Sequence, residues 1–277
     1  MRKYSLVADA LRSRGAQFHT PVHAPESWLH LAHDAGYVSA VLSCTLDKAS
    51  AGRIGFEMTP AIARRSRAAV GGTCLAARLA LEHGASASLA GGSHHASRDG
   101  GAGFCVFNDV AVAAALMLEE GAVRQVAVID CDVHHGDGTA VIFADDPRVF
   151  TASLHCEDNW PRTKPPSDLD IGLPKGTGDE VYLEALDDMI GALFASVTPD
   201  LIFYNAGVDP HVDDRLGLLS LSDDGLRQRD RAVARACQSR DIPLMGVLGG
   251  GYQHDATKVA ARHVLMVEAL DEVFSAH

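Results

Sequence analysis

The 277-residue sequence predicts a single α/β domain, residues 1–277, built as three layers with a mainly parallel sheet between two sets of helices. Three features predict it. Residues 126–129 (VAVI) are small and β-branched, as in a strand buried on both faces, and the run stops abruptly at Asp130. Strand-like apolar runs then alternate with helical periodicity, the pattern of successive βαβ units. Titratable residues cluster just after these strands, where parallel α/β sheets collect their ligands.

Taken in order, residues 4–14 have helical spacing, with Gly15 as the stop. A polar, proline-containing stretch to Pro25 precedes an expected helix at 27–34, and His23, His30 and His33 are read as solvated and without a role. Pro60 opens a long alanine-rich helix to Glu82, with Gly84 beyond its end. Residues 86–89 suit a short strand leading to Gly91, Gly92, Ser93, His94 and His95. Asn108 is placed to cap a helix with Val110, Ala113, Ala114 and Met117 on one face, closed by Gly121. After the central strand come a helix to about Ala144, a strand at 149–154 and a loop at 157–178. A helix carrying Leu183, Leu186, Ile190 and Leu193, a strand at 201–205, a helix at 223–240, a strand at 244–248 and a helix from about Asp255 complete the alternation.

With 47% apolar and 22% charged residues the chain matches ordinary globular composition. No stretch is apolar and long enough to span a bilayer, and residues 1–15 lack a signal core, so a cytoplasmic protein without a membrane partner is expected. The six cysteines contain no C-x-x-C pair, which argues against a disulfide framework or thiolate zinc site. An excess of 36 acidic over 24 basic residues argues against a nucleic-acid backbone and favours cationic or neutral ligands.

The segment VAVIDCDVHHGDG (126–138) carries the densest chemistry. In an extended backbone Asp130, Asp132 and His134 share one side while Cys131 and Val133 take the other. Buried carboxylates at the end of an apolar strand are costly unless a cation offsets them. Asp132, His134 and Asp209 would form a compact oxygen and nitrogen site with one position open, as hydrolytic zinc requires. His94 and His95 are candidates for proton transfer, with Asp130 and Asp137 to orient them. Gly249, Gly250 and Gly251 lack P-loop or dinucleotide companions and instead let Tyr252 approach closely. No G-x-S-x-G elbow is present.

In order, GGSHHASRDGGAGFCVFND, VIDCDVHHGDGT, NAGVDPHVDDRLGLLSL and GGGYQ resemble the zinc-dependent histone deacetylase family of the arginase/deacetylase fold, over most of the chain. NAGVD with DRLG, and Gln253 after Tyr252, look most like the class IV branch and bacterial histone deacetylase-like amidohydrolases. The resemblance implies hydrolysis of acyl-lysine, in a protein or peptide, or of a small acylated amine. It implies Asp132, His134 and Asp209 as ligands to Zn2+ (Fe2+ can occupy such a site), His95 as general base and then acid, and His94 as its electrostatic companion. Asp130 would pair with His94, Asp137 with His95, and Tyr252 would donate to the developing oxyanion. Phe104 would line the acyl-lysine tunnel and the Gly103 carbonyl would accept the substrate amide hydrogen.

The resemblance also implies structural K+ or Na+. Asp130, Asp132, His134, Ser153 and Leu154 match one such site, and Phe143, Asp146 and Val149 part of a second. For Phe104 and Phe143 a plain core role is the alternative. Relatives place an extra strand before the first helix, whereas this sequence opens Met1-Arg-Lys-Tyr, so either the start is truncated or the sheet lacks its usual first edge strand. Rival expectations are an acetylpolyamine amidohydrolase, a two-manganese ureohydrolase, disfavoured because Gly136 and Gly207 stand where bridging carboxylates are needed, and a non-catalytic acyl-lysine or metabolite binder.

Overall fold

In the computed structural model, which describes residues 2–275, six strands form one all-parallel sheet in the order β1-β6-β5-β2-β3-β4. The strands are β1 (Ala85–Ser88), β2 (Val126–Asp130), β3 (Val149–Cys156), β4 (Leu169–Leu173), β5 (Leu201–Asn205) and β6 (Leu244–Val247). Helices α1 (Arg2–Arg12), α2 (Glu26–Leu29), α3 (Ala35–Leu42), α4 (Lys48–Ile54) and α5 (Pro60–His83) precede the sheet. The rest, α6 (Asp109–Glu119), α7 (Asp137–Phe143), α8 (Asp179–Ser196), α9 (Asp223–Gln238) and α10 (Ala256–Phe274), are interleaved with the strands or follow them. Met1 of the opening tetrapeptide lies outside the described residues.

The central strand is apolar up to its last residue, Asp130, because it faces two cores. Ala127, Ile129, Cys131 and Val133 pack with α1, α8, α9 and α10 through residues such as Val7, Leu186, Val233 and Val264. Val126 and Val128 pack on the opposite face with α3, α5 and α6 through Val41, Val70 and Val112. Each fully buried aliphatic side chain contributes roughly 1.5–3 kcal/mol. The same alternation splits β5, with Ile202 and Tyr204 on one face and Leu201 and Phe203 on the other.

Local signals set the helix ends. Thr59 Oγ1 accepts from Ile62 N ahead of Pro60 at the start of α5, and Asn108 Oδ1 accepts from Ala111 N at the start of α6. Parallel pairing then puts the end of β2 beside its neighbours in register, with Asp130 opposite Ser153 of β3 and Asn205 of β5.

Three expectations need correction. Of the helix expected at 27–34 only the single turn α2 forms, 30–34 being non-helical, and the next helix, α3, starts at Ala35. His33, read as solvated, is buried and 2% exposed, with Nδ1 2.8 Å from Ser97 O and Nε2 accepting from Asn108 N at 3.0 Å. His23 and His30 are exposed as expected. The loop at 157–178 contains β4, a half-exposed edge strand whose Asp170 and Gly172 break the apolar pattern. No helix among the described residues is long and apolar enough to cross a membrane.

Candidate active site

Every strand that feeds the site ends on the same side of the sheet, so the loops after β1, β2, β5 and β6 converge. Asp130 is the last residue of β2, and Asp132 and His134 follow in the turn before α7. The turn after β5 brings in Asp209. His134 Nδ1 lies 3.0 Å from Asp132 Oδ1 and 3.2 Å from Asp209 Oδ2, and the three donor atoms all fall within 4.8 Å of one another. All three residues are buried.

The donor set fits a divalent cation. Asp209 is 0% exposed; its Oδ1 accepts from Val133 N at 2.9 Å while Oδ2 has no hydrogen-bond partner. An orphaned buried carboxylate oxygen is costly, and a metal is the usual remedy. Asp132 Oδ2 is held by Gly250 N at 2.7 Å. A Cβ at Gly250 would stand 2.0 Å from Asp209 Oδ2 and 2.8 Å from Asp132 Oδ2, so only glycine lets the β6 loop close over these carboxylates. One imidazole and two carboxylate donors suit zinc or a neighbouring transition ion rather than a hard alkaline-earth ion.

The tandem histidines sit beside this cluster as two dyads. His94 Nδ1 is 2.6 Å from Asp130 Oδ2, and His95 Nδ1 is 2.6 Å from Asp137 Oδ1. Asp130 Oδ1 also accepts from Asn205 Nδ2 at 3.0 Å and Asp132 N at 3.1 Å. The two imidazole centroids are 4.0 Å apart, yet their environments separate them. Burial disfavours charge on His94, but Asp130 and Asp132 outweigh it and raise its pKa to about 9. Burial and the charge of His94 instead depress His95 to about 4, so near neutral pH it holds a free lone pair on Nε2.

At the Asp132, His134 and Asp209 cluster, burial opposes charge on His134, but the two neighbouring carboxylates raise it to about 10. Burial and the Asp132 carboxylate push Asp209 up, while His94 and His134 overcome burial to hold Asp132 well below the usual carboxylate range. Tyr252 stacks edge-on to His134 at 6.1 Å between centroids, and its backbone N–H donates to Asp214 Oδ2 at 2.7 Å. Burial raises the Tyr252 phenol well above its ordinary value and keeps it a donor.

Phe104 is 55% exposed at φ 69°, so the plain core alternative does not hold for it, whereas Phe143 is buried in the core. Of the residues matched to monovalent ions, Ser153 Oγ lies 3.0 Å from His155 Nδ1. Phe143 O accepts from Asp146 N and Asp146 O from Val149 N, which gathers those three in one turn, while the Asp146 carboxylate pairs with Arg148.

The chain matches the family described as Histone deacetylase domain over residues 1–267. The chain belongs to the histone deacetylase family. It is 43% identical over 278 residues to an uncharacterized protein of Picosynechococcus, a match covering 99% of this chain and 93% of the relative. It is 35% identical over 198 residues to Histone deacetylase 2 of Arabidopsis thaliana, covering 70% of this chain and 51% of the relative, so the match spans about half the length of that protein. Its fold resembles that of an acetylpolyamine aminohydrolase from Burkholderia pseudomallei with a TM-score of 0.82 at 19% identity, over 98% of this chain and 90% of the other.

Within this histone deacetylase-family site, three side chains carry no motif that singled them out. Trp160 closes edge-on against the His95 ring at 4.5 Å. Lys3 reaches in from α1 and donates from Nζ to Gly249 O at 3.0 Å, and burial lowers it to about 8 despite Asp209 and Asp132 nearby. Arg229 of α9 is 0% exposed and donates from Nη1 to Gly207 O at 2.6 Å and Cys131 O at 3.2 Å. It thereby ties the two ligand-bearing loops together, with Asp230 Oδ1 accepting from its Nε at 3.0 Å and from Tyr204 Oη at 2.6 Å. In sequence a lone Lys or Arg in an amphipathic helix is indistinguishable from a solvated charge. A cavity of about 500 Å³ reaches His95, Asp132 and Tyr252 and is walled by Phe56, Ile62 and Phe107.

Proposed function

We propose that residues 1–277 form one catalytic domain that hydrolyses the amide of N6-acyl-lysine, releasing a carboxylate and free lysine without NAD. The observation that carries this reading is the convergence of Asp132, His134 and Asp209 beside two histidine–aspartate dyads of opposite proton affinity. Asp132, His134 and Asp209 would hold Zn2+, or Fe2+, which when bound supplies Lewis-acid polarisation of the amide carbonyl and acidifies water.

The chain's own residues supply the rest. Asp137 accepts the Nδ1 proton of His95 and so leaves Nε2 to take a proton from the attacking water and return it to the leaving amine. His94, kept cationic by Asp130, favours negative charge developing beside it. The Tyr252 hydroxyl donates to the developing oxyanion, an interaction of roughly 3 kcal/mol. Phe104 and Trp160 flank the lysine stem, and the Gly103 carbonyl accepts the substrate amide hydrogen. Asp130, Asp132, His134, Ser153 and Leu154 hold K+ or Na+, with Phe143, Asp146 and Val149 contributing to a second such site.

An apolar-walled cavity of this size favours acyl groups up to fatty chain length, in line with the class IV-like segments. The test is turnover, in metal-loaded and chelated protein, of acetyl-lysine peptide, myristoyl-lysine peptide and acetylputrescine. Metal-dependent cleavage of a lysine peptide supports the reading. Cleavage of acetylputrescine alone makes it an acetylpolyamine amidohydrolase instead. Full deacylase activity in both Tyr252→Phe and His95→Ala would overturn the assigned roles.

A further inference from the structure

Beyond the catalytic cluster, His135, His155 and Asp170 bring three more donor atoms within 4.8 Å of one another. We infer that these residues, completed by Glu157, form a second binding site for a transition-metal dication such as Zn2+ at the β3–β4 edge of the sheet. The sequence and the sheet register assemble it. Ser153 and His155 of β3 stand opposite Asp170 and Gly172 of β4, so Ser153, His155 and Asp170 project from one face of adjacent strands. His135, the residue after His134, meets them from the turn before α7.

His135 Nε2 lies 3.0 Å from Asp170 Oδ1, and His155 Nε2 lies 3.7 Å from Glu157 Oε2. These spacings bracket the ~3.3 Å expected between donors around a tetrahedral zinc with bonds of about 2.0–2.1 Å. The two rings meet edge to face at 4.7 Å. His155 Nδ1 is already oriented by Ser153 Oγ at 3.0 Å, and Asp170 Oδ2 by Ser167 N at 2.8 Å, the outer hydrogen bonds a ligating imidazole and carboxylate require. Both histidines are essentially unexposed, and His135 Nδ1 has no hydrogen-bond partner. Buried imidazoles held against two carboxylates offer a dication a matched set of nitrogen and oxygen donors. Asp170 and Glu157 are partly open to solvent and provide the entry path. Gly172 leaves room for the Glu157 carboxylate.

An ion there would bridge the two ends of the loop 157–168, which carries Trp160 against His95. The site shares no side-chain donor with Asp132, His134 and Asp209. The test is a metal count on the full chain, stripped with chelator, equilibrated with Zn2+ alone and desalted. Two Zn2+ per chain are expected in the wild type and one in each of Asp170→Asn, His155→Gln and Asp209→Asn. Co2+ in the Asp209→Asn protein should give a visible band of nitrogen and oxygen ligation that disappears when Asp170→Asn is added. One Zn2+ in the wild type, or a second Zn2+ that survives both edge substitutions, would overturn the proposal. A metal count unaffected by Asp209→Asn alone would count against the catalytic reading and leave the edge site standing.

Discussion

Acidification should unfold this protein partly through His33. Its Nδ1–H donates to Ser97 O and its Nε2 accepts from Asn108 N, so only the neutral imidazole satisfies both partners. Burial pushes its pKa from 6.5 down to about 4. Because the folded value is the lower one, the unfolded chain binds the proton more readily across that window. His33 therefore leaves stability intact above pH 6.5 and withdraws it as pH falls from there towards 4. At ~1.4 kcal/mol per tenfold, the full loss is about 3 kcal/mol, of which about 2 kcal/mol is lost by pH 5. Asn108 also donates from Nδ2 to Thr139 Oγ1 at 2.9 Å, and Thr139 N donates to His94 O at 3.1 Å, so the loss begins next to the tandem histidines. Urea denaturation at pH 7 and pH 5 should show His33→Gln losing about 2 kcal/mol less than the wild type on acidification. His95 and His155 are depressed in the same direction and remain in both proteins, so the difference isolates His33. Parallel pH profiles for the two proteins would refute the argument.

Other substitutions test the site. Tyr252→Phe should lower kcat by about 100-fold or more while metal content, read by elemental analysis, stays at the wild-type level. Gly250→Ala should weaken Zn2+ binding at the proposed Asp132, His134 and Asp209 site without replacing any of the three, because its methyl would stand 2.0 Å from Asp209 Oδ2; retention of wild-type metal affinity would contradict the geometry. Arg229→Met leaves the Gly207 and Cys131 carbonyls and the Asp230 carboxylate without their buried partner, and chemical denaturation should show about 3–5 kcal/mol of lost stability.

The alternating sheet was readable in the sequence because β2 and β5 are apolar on both faces and are followed by capped helices such as α6. The clustering of Asp132, His134 and Asp209 was readable because the first two are close in sequence, and Asp209 could be added once the strands were taken as parallel. What escaped was whatever depends on burial that only tertiary packing creates. His33 looks like its exposed neighbours His23 and His30 until Tyr37 and Phe107 close on it at 5.9 and 5.3 Å. β4 escaped because an edge strand needs apolar residues on one side alone, and five residues give too few alternations to register. Arg229 and Lys3 escaped because their partners are backbone carbonyls, which leave no trace in side-chain pattern.

The pairing of Asp130 with Ser153 and Asn205 across three strands has a practical consequence for redesign. Spacing among the reactive groups is inherited from the hydrogen-bond ladder, where a slip of one residue shifts everything by about 3.3 Å and reverses its facing. Phe104 and Trp160, by contrast, stand exposed at the rim on segments outside that ladder. Acyl preference should therefore be re-tuned by exchanging rim aromatics or grafting another 157–168 segment, with the hydrolytic core left as an undisturbed chassis.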